Sequence, residues 1–370
     1  MKYYLIAGEA SGDLHGANLM KALQKIDPQA QFRFWGGERM EAIGGTLIKH
    51  YRDLAFMGFW EVAMNLTTIL KNIDFCKKDI SQYKPDALIF IDYPGFNMRI
   101  AKWAKTQHIP THYYISPQIW AWKENRIKAI KRDVDNMYVI LPFEKDFYEK
   151  KHQFPVHFVG HPLLDAIASR QEISEEDFKQ ENGLDKRPII ALLPGSRKQE
   201  IAKMLSVMLS IVDSYHEYQF VIAGAPSQEY EFYKPFIKEE NVHFVSGKTY
   251  DLLSHSHAAL VTSGTATLET ALFNVPEVVC YRGNWLSYQI AKRVINLKYI
   301  SLVNLIMDAP VVTELIQNEL NTKNLKTELD KILSSSHREK LLLDYKELKE
   351  KLGNIGASDR TATTIYQSLL

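Results

Sequence analysis

At 370 residues the chain exceeds what one hydrophobic core organises, so two domains are expected. Hydrophobic residues at 46% and charged residues at 24% exclude a disordered or fibrous chain, and a formal charge of +1 excludes a general nucleic-acid binder. Cys76 and Cys280 lie far apart with no CxxC, which excludes a thiolate zinc site and a disulfide framework.

The start, Met1 to Gly8, is apolar for too few residues to be a secretory signal and reads as a first strand. No uninterrupted apolar run reaches the ~18 residues of a spanning helix, so the chain is expected to be soluble or to lie on a membrane surface. Tyr3–Ala7, Gln31–Trp35, Ala87–Ile91, Thr111–Ile115, Met137–Leu141 and Val156–Val159 read as strands, with helices such as Leu14–Ile26 and Phe96–Gln107 between them. The stretch Ala168–Lys186 is polar and without strand character. The pattern then restarts with Ile189–Leu193, Gln219–Ala223, Val242–Val245, Ala259–Thr262 and Glu277–Tyr281. From Asp308 onward the chain reads as helical. Such alternation predicts two doubly wound α/β domains, 1–165 and 166–344, with helices of about 345–370 folding back onto the first. In this fold class ligands bind at the carboxyl ends of the strands, and two facing domains would enclose a cleft there.

The first turn, Ala7-Gly8-Glu9-Ala10-Ser11-Gly12-Asp13, joins strand to helix. It is not GxGxxG, which disfavours a dinucleotide-dependent oxidoreductase. Ser11 or Asp13 can cap the helix, or the carboxylates Glu9 and Asp13 can face a sugar's hydroxyls. Between about Gly58 and Tyr83 a long helix carries Phe59, Val62, Leu66, Ile69 and Ile73 as a core stripe. Trp60, Met64 and Phe75 fall on a second face beside Lys71 and Lys78, which suits a lipid surface, burial on both sides or a protein interface. Asp92 and Asn97 lie where the strand Ala87–Ile91 ends, the place where catalytic groups collect; an aspartate there also serves as a turn former. In Ser116-Pro117-Gln118-Ile119-Trp120-Ala121-Trp122-Lys123 two tryptophans adjoin a basic helix whose inward stripe is Ile127, Ile130 and Val134. That is a solvated face, or a surface attracted to anionic headgroups.

In the second domain, Leu193-Pro194-Gly195-Ser196-Arg197 turns from strand to helix. Its amides, helix dipole and guanidinium suit a diphosphate, while Ser196 and Gln199 can form a capping box. Ser263-Gly264-Thr265-Ala266-Thr267-Leu268-Glu269 again follows a strand, and Glu269 can accept from ribose hydroxyls. Histidines are scattered, none pairing at metal spacing except His255 and His257, so no metal is expected, and no cofactor is expected either.

Taken in order, AGEASGD (Ala7–Asp13), MGFWEV (Met57–Val62), SPQIWAW (Ser116–Trp122), VGHPL (Val159–Leu163), LPGSRKQEI (Leu193–Ile201), SGTATLE (Ser263–Glu269), SLVN (Ser301–Asn304) and ELIQ (Glu314–Gln317) resemble the lipid-A-disaccharide synthases, glycosyltransferase family 19. The resemblance implies a GT-B fold and an inverting, metal-independent transfer. UDP-2,3-diacylglucosamine would be the donor and 2,3-diacylglucosamine 1-phosphate the acceptor, joined β(1→6), at the cytoplasmic face of an inner membrane. It places Gly195, Ser196, Arg197, Ser263, Gly264 and Thr265 on the diphosphate and Glu269 on the ribose. Asn304, Glu314 and Gln317 would line the donor side. Acyl chains would account for the apolar surface of Met57, Phe59, Trp60 and Met64, with Trp120, Trp122 and Lys123 as further lipid contacts. Many members carry a second aspartate in a DxPDFN pattern, where this chain has Gly95. The base is then Asp92, Glu9 or another carboxylate near them. Rival readings are another GT-B enzyme, such as a UDP-N-acetylglucosamine 2-epimerase, and a non-catalytic nucleotide-sugar binder. Oligomeric state is not legible.

Overall fold

The computed structural model describes residues 1–54, 66–283 and 298–370. Two compact units divide the chain: Met1–Ser169 with Leu352–Leu370, and Arg170–Lys351.

The first unit is built on seven parallel strands: β1 (Lys2–Ala7), β2 (Gln31–Gly36), β3 (Thr46–His50), β4 (Ala87–Ile91), β5 (Thr111–Tyr114), β6 (Asn136–Val139) and β7 (His157–Phe158). Their order is β3-β2-β1-β4-β5-β6-β7. Alternation along β1 explains why both faces must be covered. Tyr4 and Ile6 enter one core with Ile73, Cys76, Ile80 and Ile100, whereas Tyr3, Leu5 and Ala7 enter another with Leu19, Met20 and Ile365. Helices Leu66–Tyr83 and Pro94–Thr106 cover the first face; Ala10–Ile26 and the C-terminal helix Ala357–Ser368 cover the second.

The stretch Val159–Leu163 fastens that C-terminal helix. Arg360 donates from Nε and Nη2 to the Val159 carbonyl at 2.9 and 2.7 Å. Just beyond, the Asp165 carboxylate accepts from the Gly356 and Ser358 amides at 2.6 and 2.8 Å. Gly160 is required here: its φ is +80°, and a Cβ would stand 2.9 Å from the Arg360 guanidinium.

The second unit has six parallel strands: β8 (Ile189–Leu193), β9 (Gln219–Gly224), β10 (Val242–Ser246), β11 (Ser256–Thr262), β12 (Glu277–Tyr281) and β13 (Thr313–Ile316), ordered β10-β9-β8-β11-β12-β13. Both sheets therefore reverse their winding at one point, between β1 and β4 and between β8 and β11. Successive loops diverge there and leave a crevice at the carboxyl ends.

Two strands escape the sequence pattern. β3 and β13 are short edge strands, and β13 lies where the chain reads as helical. Its pairing with β12, Tyr281 opposite Ile316, holds it rather than any alternation of its own. The long helix is present from Leu66; its expected beginning, with Met57, Phe59, Trp60 and Met64, lies outside the described residues. Among those described, no helix is long and apolar enough to cross a membrane.

Candidate functional site

At the reversal point of the first unit, β1 and β4 run side by side with Ala7 opposite Ile91. Gly8-Glu9 and Asp92-Tyr93 thus leave the sheet together. Gly8 has no room for a side chain, because a Cβ would stand 2.3 Å from the Tyr93 ring. Asp92 and Tyr93 both adopt the left-handed region, with φ of 46° and 51°. Each such residue costs on the order of 1–3 kcal/mol, so the surroundings must over-determine it. They do. The Asp92 carbonyl accepts from the Tyr113 hydroxyl at 2.6 Å and from Asn97 Nδ2 at 2.7 Å. The Asp92 amide donates to the Tyr114 carbonyl at 3.1 Å. Asn97 is fully buried and also reaches the Ile6 carbonyl at 3.3 Å. It ties β1 to β4 from inside, where a group projecting toward substrate was expected.

Burial raises the Asp92 carboxyl to about 6; the negative charge of Glu9 adds to this, the Tyr93 amide opposes it, and Glu144 contributes more weakly. Such a carboxylate is still ionised at neutral pH and is a stronger base than an ordinary aspartate. Glu9 takes the N-cap position of helix Ala10–Ile26 without using its side chain as the cap. Neither reading of Asp13 as that helix's cap or as a sugar contact describes its place. It is buried and accepts from the Gly37, Arg39 and Met40 amides at 2.7, 3.1 and 3.1 Å, capping the neighbouring helix Glu38–Ile43.

Glu144 is a residue the sequence did not single out. It is buried and accepts from Ser116 Oγ at 2.7 Å, Trp120 Nε1 at 3.1 Å and the Ile140 and Leu141 amides at 3.1 and 2.9 Å. The SPQIWAW segment thus wraps a buried carboxylate, and Trp120 spends its indole N–H inside the fold. A helix-start signal, proline at the first position and glutamate at the third, marks Glu144 in retrospect. Trp122 does lie outside: it is 46% exposed, with Lys123 Nζ 4.1 Å and the Arg126 guanidinium 5.6 Å from its ring. On helix Leu66–Tyr83, Leu70 and Phe75 are exposed beside Lys71 and Lys78.

The second unit's reversal point is more open. Gly195 has φ +104°, and the space a Cβ would fill is taken by the Glu200 carboxylate, 2.3 Å from that position. The Ser196 amide donates to Glu200 Oε2 at 3.3 Å. Arg197, rather than Ser196, is the N-cap of helix Lys198–Met208, with no side-chain cap, so the alternative reading of Ser196 and Gln199 as a capping box does not describe this turn. Ser196 and Arg197 are exposed. After β11, Gly264 and Thr265 are exposed at the start of helix Thr265–Leu272, with no described residue within 4 Å of a Gly264 Cβ. Ser263 turns inward, donating from Oγ to the Ile300 carbonyl at 2.9 Å. Glu269 sits one turn along and accepts from the Tyr250 hydroxyl at 2.9 Å; burial raises its pKa and that bond opposes the rise.

Asn304 and Glu314 were expected to line the donor side, yet they bond to each other and to the chain around them. Glu314 accepts from the Ile300 and Ser301 amides at 3.0 and 2.9 Å and from Asn304 Nδ2 at 2.9 Å. Asn304, 1% exposed, completes the clasp by donating to the Val312 carbonyl and accepting from the Val312 amide, both at 2.9 Å. SLVN and ELIQ are two halves of one fastening behind Ser263. Gln317 differs: it is left-handed at φ 54°, and its buried Nε2 has no hydrogen-bond partner among the described residues.

The family model described as lipid-A-disaccharide synthetase matches residues 3–365. A lipid-A-disaccharide synthase of Syntrophus aciditrophicus (strain SB) is 39% identical over 366 residues, covering 97% of this chain and 95% of that protein. Among solved structures, the glycotransferase of kitacinnamycin superimposes with a TM-score of 0.68 at 10% identity, over 100% of this chain and 99% of that one. The UDP-GlcNAc 2-epimerase of Neisseria meningitidis bound to UDP-GlcNAc gives 0.65 at 16% identity, over 100% and 99%. Likeness at such identities is one of fold.

Proposed function

The chain belongs to the lipid-A-disaccharide synthetase family, and from that premise we propose how its own residues carry out the transfer. It is a hexosyltransferase with two parallel-sheet units of GT-B type. The donor is UDP-2,3-diacylglucosamine and the acceptor 2,3-diacylglucosamine 1-phosphate. The observation that carries the reading is the chemistry at the two reversal points: a carboxylate poised as a base in one unit, exposed glycine- and hydroxyl-rich turns beside Arg197 in the other.

Asp92 takes the proton of the acceptor's 6-hydroxyl while that oxygen bonds to the donor's anomeric carbon. The bond from that carbon to UDP breaks, its electron pair leaves with the diphosphate, and the configuration inverts. Arg197 and the turns at Gly195–Ser196 and Ser263–Thr265 receive the growing negative charge. The diphosphate displaces the Glu200 carboxylate from the Ser196 amide as it enters. Glu269 accepts from the ribose hydroxyls, and Gln317 Nε2 is available to a donor oxygen. Asn304 and Glu314 act behind the site by holding Ser263's turn in place.

The acyl chains call for a surface at the lipid boundary. Exposed Trp122 with Lys123 and Arg126, and exposed Leu70 and Phe75 with Lys71 and Lys78, supply apolar groups flanked by cations. The protein then works as a peripheral enzyme on the cytoplasmic face of the inner membrane.

UDP release tests the whole reading. It should require both the acylated donor and the acceptor, and an unacylated UDP-glucosamine should be a poor substitute. Release without acceptor, or conversion of the donor to an epimer, would overturn it.

A further inference from the structure

Two consecutive non-glycine residues in the left-handed region, the second directly before a proline, are unusual in a strand-to-helix turn. Within this turn the strain falls on Asp92 and Tyr93. What resists it is specific: two fully buried side chains, Tyr113 from β5 and Asn97 from the first turn of helix Pro94–Thr106, converge on one main-chain oxygen at 2.6 and 2.7 Å. Phenylalanine at 113 would fill the same space, and the carbonyl of an ordinary strand end finds its partner in the sheet.

We propose that Tyr113 and Asn97 are positioning residues for the transfer, gripping the Asp92 carbonyl so that its carboxyl stays in a conformation it would otherwise leave. The proposal rests on Asp92 being the base. Released from the grip, residue 92 relaxes toward the extended region, and its carboxyl swings into water. The groups acting on that carboxyl come from two other elements as well as its own: Glu9 from the loop after β1, Glu144 from helix Pro142–Asp146, and the Tyr93 amide beside it; Tyr113 from β5 feels its charge in turn. Burial and the two glutamates raise its pKa, so release lowers it. Activity needs the ionised form; its acid limb must therefore move to lower pH when the grip is loosened.

The experiment measures kcat and both KM values from pH 5 to 9 for the full-length protein and for Tyr113→Phe, Asn97→Ala and Asp92→Asn, with UDP affinity and Tm for each. UDP affinity reads the second unit, and Tm reports whether a variant is folded. Tyr113→Phe should lower kcat about tenfold, leave KM and UDP affinity within about twofold, and shift the acid limb of kcat downward. Asn97→Ala should shift the limb in the same direction. A lower Tm with unchanged kcat and an unmoved limb in both variants would make the two residues merely structural and overturn the proposal. Full activity in Asp92→Asn would instead remove the base itself, a separate failure that the Tyr113 and Asn97 data cannot produce.

Discussion

The two units use one strand order, and their candidate groups sit at the same topological address in each. The chemistry at that address is opposite. Beside β1 and β4, the carboxyls of Asp92 and Glu9 are held close enough to act on one another, under an aromatic ring that fills the space over Gly8. Beside β8 and β11, Gly264, Ser196 and Thr265 are exposed. One address gathers negative charge and spends backbone strain to do so; the other offers amides, hydroxyls and a guanidinium. A fold fixes where a ligand meets the protein, and the local residues decide whether that place removes a proton or accepts an anion.

The comparison breaks most readily at Asp92. Asp92→Asn should lower kcat by ~10³-fold, within the range for a lost general base, while leaving UDP affinity unchanged. A variant that loses UDP affinity instead would put both chemistries in one place. Arg197→Ala should raise the Kd for UDP and lower kcat/KM by ~10²-fold, with the acid limb of the pH profile unmoved. A moved limb would show that the guanidinium acts on the base rather than on the diphosphate.

The sequence made the two addresses legible because turns between strand and helix are written in glycine, proline and hydroxyl residues, whose reasons are local. Gly8, Gly195 and Gly264 fall at those turns, and Asp92 ends its strand as read. What stayed illegible was which polar residues turn inward. Asn97 by its place and Asn304 and Glu314 by resemblance were assigned to the ligand, yet each is held by the fold: Asn97 by Ile6, 91 residues away, and the other two across a short loop by Val312 and Ile300. Glu144 was missed for the converse reason, since its partner Ser116 lies 28 residues away. β13 was read as helix because an edge strand of four residues carries little period, and its neighbour β12 decides its state.

A smaller effect sharpens the contrast through stability. The Asp92 pKa is raised from 3.8 in the unfolded chain to about 6 in the fold. The native state therefore holds its proton more tightly, and the stability this contributes is present below about pH 4 and lost as pH rises through about 6. Asn cannot ionise, so Asp92→Asn should be more stable than the parent by about 3 kcal/mol at pH 8 and by less than about 1 kcal/mol at pH 4. Urea unfolding at the two pH values measures this, and equal gains at both would mean that the charge is not what strains the site. A catalytic group that costs stability at working pH is expected at the first address.

The smallest expected effect concerns Gly95. It is exposed, its Cβ would meet no described residue within 4 Å, and it lies in the first turn of helix Pro94–Thr106. Gly95→Asp should change stability by less than about 0.5 kcal/mol, because no packing is disturbed and a carboxylate suits a helix start. The added charge lies three residues from Asp92 and should raise its pKa slightly, moving the acid limb of kcat up by a few tenths of a pH unit. The decisive form is the double variant Asp92→Asn with Gly95→Asp. If the left-handed turn at residue 92 is what makes this carboxylate the base, an aspartate on the helix surface will not restore turnover. Recovery by tenfold or more would move the proton's destination from the strained turn to the exposed helix start. Negative charge would then be needed at the first address without the strain that now holds it there.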